Sequence, residues 1–308
     1  RMLELAFSEQ SLEVQRGVVM EEFKQRCLNQ PYGDVGHLLR PLAYEVHPYR
    51  WPTIGKELSH IANATLDEVK DFFYRYYAPN NAVLAVTGNI SWTDTVRLAE
   101  KWFAPVPRRD VPVRSLPREP LQTGERRRTV ERNVPLDALF MAYHMCSRED
   151  ADYYAFDILS DILSNGRSSR LNRRLVQEQK LFSSLDAYIS GTRDAGLVHI
   201  SGKPAAGVSL EQAEAAVRKE LGELKNALVG TQELEKVKNK FESAQIFGNI
   251  NYLNVATNLA WFELAGQAED IDREVDKYRS VTAEQLHTVA EQAFREENSA
   301  VLYYKKQN

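Results

Sequence analysis

The sequence predicts an α+β fold built twice: two domains, each a mostly antiparallel sheet with helices on one face, the first truncated at its N-terminus. Three observations carry this expectation. Helix-like and strand-like periods come in segregated blocks within each half. Between the halves, residues 104–122 hold five prolines (Pro105, Pro107, Pro112, Pro117, Pro120) and no period, which makes an extended, semi-rigid connector. The chain also repeats itself. Thr65-Leu66-Asp67-Glu68-Val69 leads to Asn80-Asn81-Ala82-Val83-Leu84, and Thr282-Ala283-Glu284-Gln285-Leu286 leads to Asn298-Ser299-Ala300-Val301-Leu302, with a single one-residue gap. The expected organisation is therefore the C-terminal part of one domain at 1–103, a linker at 104–122 and a second domain at 123–308. The opening Arg1-Met2-Leu3-Glu4-Leu5 starts in mid-pattern without an initiator methionine, as in a piece of a longer polypeptide.

In the first half, the proline-free run from Ser8 to Asn29, stopping before Pro31, predicts a helix with Ser8 as its N-cap. A short helix at Gly36–Tyr44 and a proline-marked loop at His47–Pro52 follow. Next come a helix near Ile54–Ile61, a helix capped by Thr65 with Glu68 in the capping-box position, a strand at Ala82–Thr87 and a helix at Ser91–Trp102. In the second half, strands are expected near Arg126–Asn133 and Ala138–His144, then helices at Asp150–Leu163 and from Gly166 to about Gln179. A hairpin-like pair, Ser184–Ser190 and Gly196–Ser201, precedes helices at Leu210–Leu228, from Gln232 into the 240s, and at Asn251–Leu264. A helix at Ala283–Phe294 leads into a last strand, Ala300–Tyr304.

Composition limits the function classes. The 308 residues are 43% hydrophobic and 27% charged with a net charge of −4, and the pI is near 6.0. That balance supplies no electrostatic basis for binding nucleic acid or an anionic membrane. Arg126-Arg127-Arg128 is the densest basic spot, and Glu125 and Glu131 flank it. No apolar run reaches the length of a membrane span. Two distant cysteines, Cys27 and Cys146, argue against a disulfide framework or a zinc ribbon.

One carboxylate stands out. On the helix beginning at Ser8, Val18 and Val19 sit one turn before Glu22 and Gln15 two turns before, so Glu22 shares a side with apolar residues. It is either a solvated side chain whose stem covers its neighbours or a metal ligand or general base, because a buried carboxylate needs a cation or hydrogen-bond donors. Periodicity leaves both readings open.

The helix Gln15–Gln25, the loop His47-Pro48-Tyr49-Arg50-Trp51-Pro52 and the segment Pro79–Asn89 together resemble the pitrilysin/insulinase superfamily of zinc peptidases, in particular bacterial members similar to processing peptidases. Asp152-Tyr153-Tyr154-Ala155 and Ile162–Leu171 resemble that family's second, non-zinc domain. The resemblance implies a zinc endopeptidase acting on peptides or unfolded segments. Its zinc is held by two histidines of an H-x-x-E-H helix and a glutamate roughly 75 residues downstream, and the metal-activated water loses its proton to a neighbouring glutamate. The pattern Glu-Arg-x-Val-Val-x-x-Glu lies over Gln15–Glu22, which places Glu22 on the metal-ligand position. Gln15 falls on a position supporting the ligands, with its charge dropped, and Glu21 is the competing ligand.

The sequence departs from the family twice. It has no H-x-x-E-H, and no two of His37, His47, His60, His144, His199 and His287 lie three to five apart. The expected cofactor is one zinc per full-length chain, absent from this fragment, which would be inactive alone and hold no complete set of catalytic residues. The arginine and tyrosine seven apart that bind substrate backbone in active members are replaced by Val176 and Ser183. The expected partners are a peptide substrate and a second chain, as a homodimer or as a heterodimer whose other chain carries the Arg/Tyr pair. The alternative is a non-catalytic scaffold or partner subunit of the same fold.

Overall fold

The computed structural model describes residues 2, 3 and 5–307. The elements run α1 (Glu9–Phe23), α2 (Val35–Ala43), α3 (Leu58–Ala62), α4 (Leu66–Tyr76), α5 (Trp92–Phe103), β1 (Arg126–Arg132) and β2 (Ala138–His144). They continue with α6 (Tyr153–Ser164), β3 (Phe182–Ser190), β4 (Leu197–Pro204), α7 (Leu210–Asn226), α8 (Thr231–Gly248), α9 (Tyr252–Ala265), α10 (Glu274–Ser280), α11 (Ala283–Ala293) and β5 (Ser299–Lys306). Wide-turn helices extend α1 over Lys24–Leu28 and occupy Asn172–Glu178. The protein is α+β, and its helix boundaries follow local capping chemistry. Ser8, Thr65, Ser209 and Thr282 each cap a helix reciprocally with the residue three positions on.

Contacts gather the chain into two units that interleave in sequence. One comprises residues 1–25, 53–116 and 243–274; the other comprises 26–52, 117–242 and 275–308.

The second unit holds a five-stranded sheet in the order β1-β5-β2-β4-β3, with β1 parallel to β5 and the other pairings antiparallel. Alternate strand residues face opposite ways, so the sheet feeds two cores. Met141, Tyr143, Val198, Ile200, Leu185 and Val301 meet α6, α7 and α11 through residues such as Ile158, Leu159, Val217, Leu221, Leu286 and Val289. On the opposite face Ala138, Ala142, Ala300, Leu302 and Tyr304 meet Leu38, Leu39, Ala43 and Tyr44 of the α2 segment. Helices thus cover both faces of this sheet, where one was expected. Gly202 of β4 permits the close approach of β3: an added Cβ would lie 2.7 Å from both Leu185 and Phe182. The α11 cap sets a local prediction. The Thr282 hydroxyl accepts from the Gln285 N–H (3.2 Å) while the Gln285 side chain accepts from the Thr282 N–H (2.9 Å). Thr282→Ala is expected to cost about 1 kcal/mol, read as a lowered midpoint in urea at unchanged slope.

The first unit differs from expectation. Residues 82–87 are extended but pair with no strand among the described residues, so the strand expected at Ala82–Thr87 is not part of a ladder. Pairing is a non-local property, and the segment's alternating apolar pattern does not say where its partners lie. The helix expected at Ile54–Ile61 shrinks to Leu58–Ala62. The unit's interior is small: Phe23, Phe73, Ala78, Val106 and Phe262 are its buried apolar residues among those described. Phe7 packs edge-on against Phe73 at 5.3 Å. Arg109 lies over the Phe73 and Tyr74 rings and donates to the Tyr77 carbonyl at 3.0 Å. No described helix is long and apolar enough to cross a membrane.

Candidate functional site

The candidate carboxylate sits near the end of α1, whose direction is fixed at the start by the Ser8/Ser11 capping pair, each side chain accepting from the other's N–H at 3.1 Å. Arg16 anchors the helix by donating to the Ala64 carbonyl at 2.6 Å. Immediately after Glu22 and buried Phe23 the backbone widens into the turn Lys24–Leu28, a distortion that re-aims side chains and is frequent at functional sites. Glu22 is half-buried, and Val19 beside it is half-buried as well. Val18 is exposed on the same side, and so is Gln15, about 10 Å back along the axis at 1.5 Å per residue. Glu21 is exposed and occupied with its own helix, 3.8 Å from the Lys24 ammonium and accepting from Gln25 at 3.4 Å.

Four of the histidines, His47, His144, His199 and His287, are engaged elsewhere. His47 is buried, with Nδ1 accepting from the Tyr49 N–H (3.2 Å), Nε2 lying 3.2 Å from the Asp194 carboxylate and its ring 4.2 Å from that of Tyr49. Glu119 completes this clamp by accepting from the N–H groups of Glu45, Val46 and His47 (2.6, 3.1 and 2.8 Å). Burial opposes ionisation of Glu119, yet those three N–H groups hold its carboxyl below the usual range. His144 Nε2 lies 2.7 Å from the Ala43 carbonyl, and burial lowers its pKa. His199 stacks on Tyr188 at 4.8 Å, and burial with the nearby Arg40 charge pushes its pKa down to about 4. His287 lies 3.5 Å from Glu291, one helical turn away. His60 sits exposed on α3 and His37 half-buried on α2.

Among the described residues no three His, Cys, Asp or Glu side chains gather in a way that could hold a metal ion. The donor set among the described residues therefore does not amount to a zinc site, and Glu22 has no second and third donor gathered beside it there. Val176 packs against the core from the wide-turn helix, and the Ser183 hydroxyl donates to the Lys203 carbonyl at 3.1 Å. Neither offers the charge or ring of an Arg/Tyr pair.

Sequence reasoning missed the clamp on the His47 loop. The only local signal was Pro48 at the first position of a tight turn after His47; Asp194 and Glu119 arrive from far along the chain.

A capped helix leading through a tight turn into an extended segment occurs twice, and only the second extended segment is a strand of the mixed, helix-backed sheet; the class is α+β. The family described as "Peptidase M16 inactive domain" matches residues 63–241, more than half of the sequence. The chain belongs to this M16 family of the pitrilysin/insulinase superfamily. It is 28% identical over 297 residues to the zinc protease PqqE of Helicobacter pylori, covering 94% of this chain and 66% of that protein. It is 24% identical to the uncharacterized zinc protease YmxG of Bacillus subtilis, covering 96% of this chain and 71% of that protein. The chain thus spans about two thirds of the length of these relatives. A crystal structure of a protease from Helicobacter pylori superposes with a TM-score of 0.90 at 26% identity, covering 99% of this chain and 74% of that one. The peptidase M16 inactive domain from Pseudomonas fluorescens shares the fold, with a TM-score of 0.88 at 17% identity, covering 100% of this chain and 73% of that one.

Proposed function

We propose that this chain is part of a zinc metalloendopeptidase in which Glu22 supplies one metal ligand and Gln15 lies among the residues supporting the ligands. Residues 1–103 then belong to the metal-bearing domain, and 123–308, beyond the 104–122 linker, form the companion domain. The observation that carries the reading is membership of the M16 family together with relatives named as zinc proteases. The half-buried carboxylate of Glu22, beside a wide-turn distortion of α1, is consistent with it. Among the described residues too few donors gather to hold the metal, and in this reading the chain has no peptidase activity alone.

The substrate class is a peptide or unfolded segment bound in extended form, which meets sheet edges by backbone hydrogen bonds. With Val176 and Ser183 in place of an Arg/Tyr pair, substrate-backbone binding would fall to a second chain, as a heterodimer or within a homodimer. A second reading, a non-catalytic scaffold or partner subunit, is supported by the matching family's description as an inactive domain.

The test is hydrolysis of a quenched fluorescent peptide by the parent-length protein, alone and with its co-purifying partner. Turnover abolished by a chelator and restored by zinc is the expected result. Absence of turnover in a preparation that retains bound zinc and its partner would overturn the peptidase reading in favour of the scaffold.

A further inference from the structure

The sheet face that α2 covers turns polar at its β4–β3 end. Leu197 of β4 belongs to the core beneath α2, and half-buried His199, two residues on, faces the same way. Tyr188 of β3 is its register partner, so the two rings share that face, where they stack at 4.8 Å. β3 ends the sheet order, and its outer backbone edge pairs with no strand among the described residues. Tyr188 is 52% exposed, and Asp186, two residues back on the same face, is exposed as well.

Arg40 of α2 stands beside this end. It lies one turn before Tyr44, whose hydroxyl donates to the Ala195 carbonyl just ahead of β4 (2.9 Å). Its positive charge acts on the Tyr44, His199 and Tyr188 side chains alike. Arg40 is half-buried, yet among the described residues its guanidinium has no ion pair and no hydrogen-bond acceptor. The carboxylates that also act on Tyr44 are committed, Asp194 beside His47 at 3.2 Å and Glu119 to three backbone N–H groups. His199, neutral because burial and the Arg40 charge lower its pKa, keeps one ring N–H. Neither that N–H nor the Tyr188 hydroxyl has an acceptor among the described residues. Three donors without acceptors therefore share one end of a sheet face. A guanidinium drawn partly out of water without a counter-charge is costly, and a carboxylate offsets that cost.

We infer that Arg40, His199 and Tyr188 receive an acidic side chain of the peptide substrate, presented by a stretch that adds to the outer edge of β3. A residue directly opposite Tyr188 in an added strand places its side chain on the same face, which fixes where the acid stands. Asp186 sets the limit, because it repels a second acid at the position opposite itself. The match is to a single acid in a peptide rather than to an anionic stretch. The inference rests on the peptide-substrate reading and names a preference within it; it needs neither the metal nor cleavage.

The test is fluorescence anisotropy of end-capped, otherwise uncharged peptides with a central glutamate or glutamine, bound to the parent-length protein with chelator present. The glutamate peptide should bind about 10-fold more tightly or better, the scale of a hydrogen bond to a charged group. Arg40→Gln should erase that preference while binding the glutamine peptide as the wild type does, which also shows that the variant folds. Arg40→Glu should favour a central lysine instead, a gain that misfolding cannot produce. A glutamate preference that survives Arg40→Gln, or equal binding of both peptides to the wild type, overturns the acid receptor and leaves peptide binding intact. Binding of neither peptide overturns the peptide-substrate reading itself, and this inference with it.

Discussion

Glu214→Ala should lower the stability of the second unit by about 3 kcal/mol, the cost of leaving two partly buried guanidinium groups and the buried Tyr303 hydroxyl without their acceptor. Glu214 is buried on α7 and is the acceptor at the centre of a network. Arg127 of β1 reaches both its oxygens at 2.7 Å, Arg218 one turn on donates at 2.7 Å, and the Tyr303 hydroxyl of β5 donates at 2.5 Å. Removing the carboxylate leaves two guanidinium groups together with only Glu125 between them and strips the Tyr303 hydroxyl of its acceptor. A loss of this size corresponds to a fall in Tm on the order of 6–12 °C. A shift under about 2 °C would show that the network contributes little.

The same site sets a pH dependence. Burial opposes ionisation of Glu214, but the hydrogen bonds from Arg127, Tyr303 and Arg218 outweigh it and bring its pKa down to about 2 from 4.5. A depressed carboxyl pKa stabilises the folded state fully above the unfolded value and loses that contribution as pH falls toward the folded one. The gap in stability between wild type and Glu214→Ala should therefore be constant above about pH 5 and narrow between 4.5 and 2.

What was legible in the sequence was local. The Ser8, Thr65 and Thr282 caps act within four residues, and the strand at Ala138–His144 is set by its own apolar run, so both are readable without tertiary knowledge. Residues 82–87 carry strand chemistry too, but a ladder needs partners, and none is among the described residues. The crossing of residues 26–52 into the second unit was illegible for a related reason. It rests on Leu38, Leu39 and Tyr44 finding a sheet face formed more than 80 residues later, and on His47 meeting Asp194. At Glu22 the sequence offers a carboxylate on a mixed helix face. Its proposed meaning comes from the pattern Gln15–Glu22 and the family, because a ligand is defined by the company of other ligands.

The central claim, that Glu22 holds the metal, is tested most directly by the zinc stoichiometry of the parent-length protein with and without Glu22→Gln. The substitution keeps the size and hydrogen-bonding capacity of the side chain and removes the charged oxygen that zinc prefers. Its site is half-buried, so the fold should hold, and an unchanged Tm in the presence of chelator is the control. The account expects zinc affinity to fall by more than about 100-fold, beyond the ~10–100-fold typical of losing an outer hydrogen-bond partner, with Gln15→Ala giving the smaller loss. One zinc per chain retained at unchanged affinity in Glu22→Gln would contradict it.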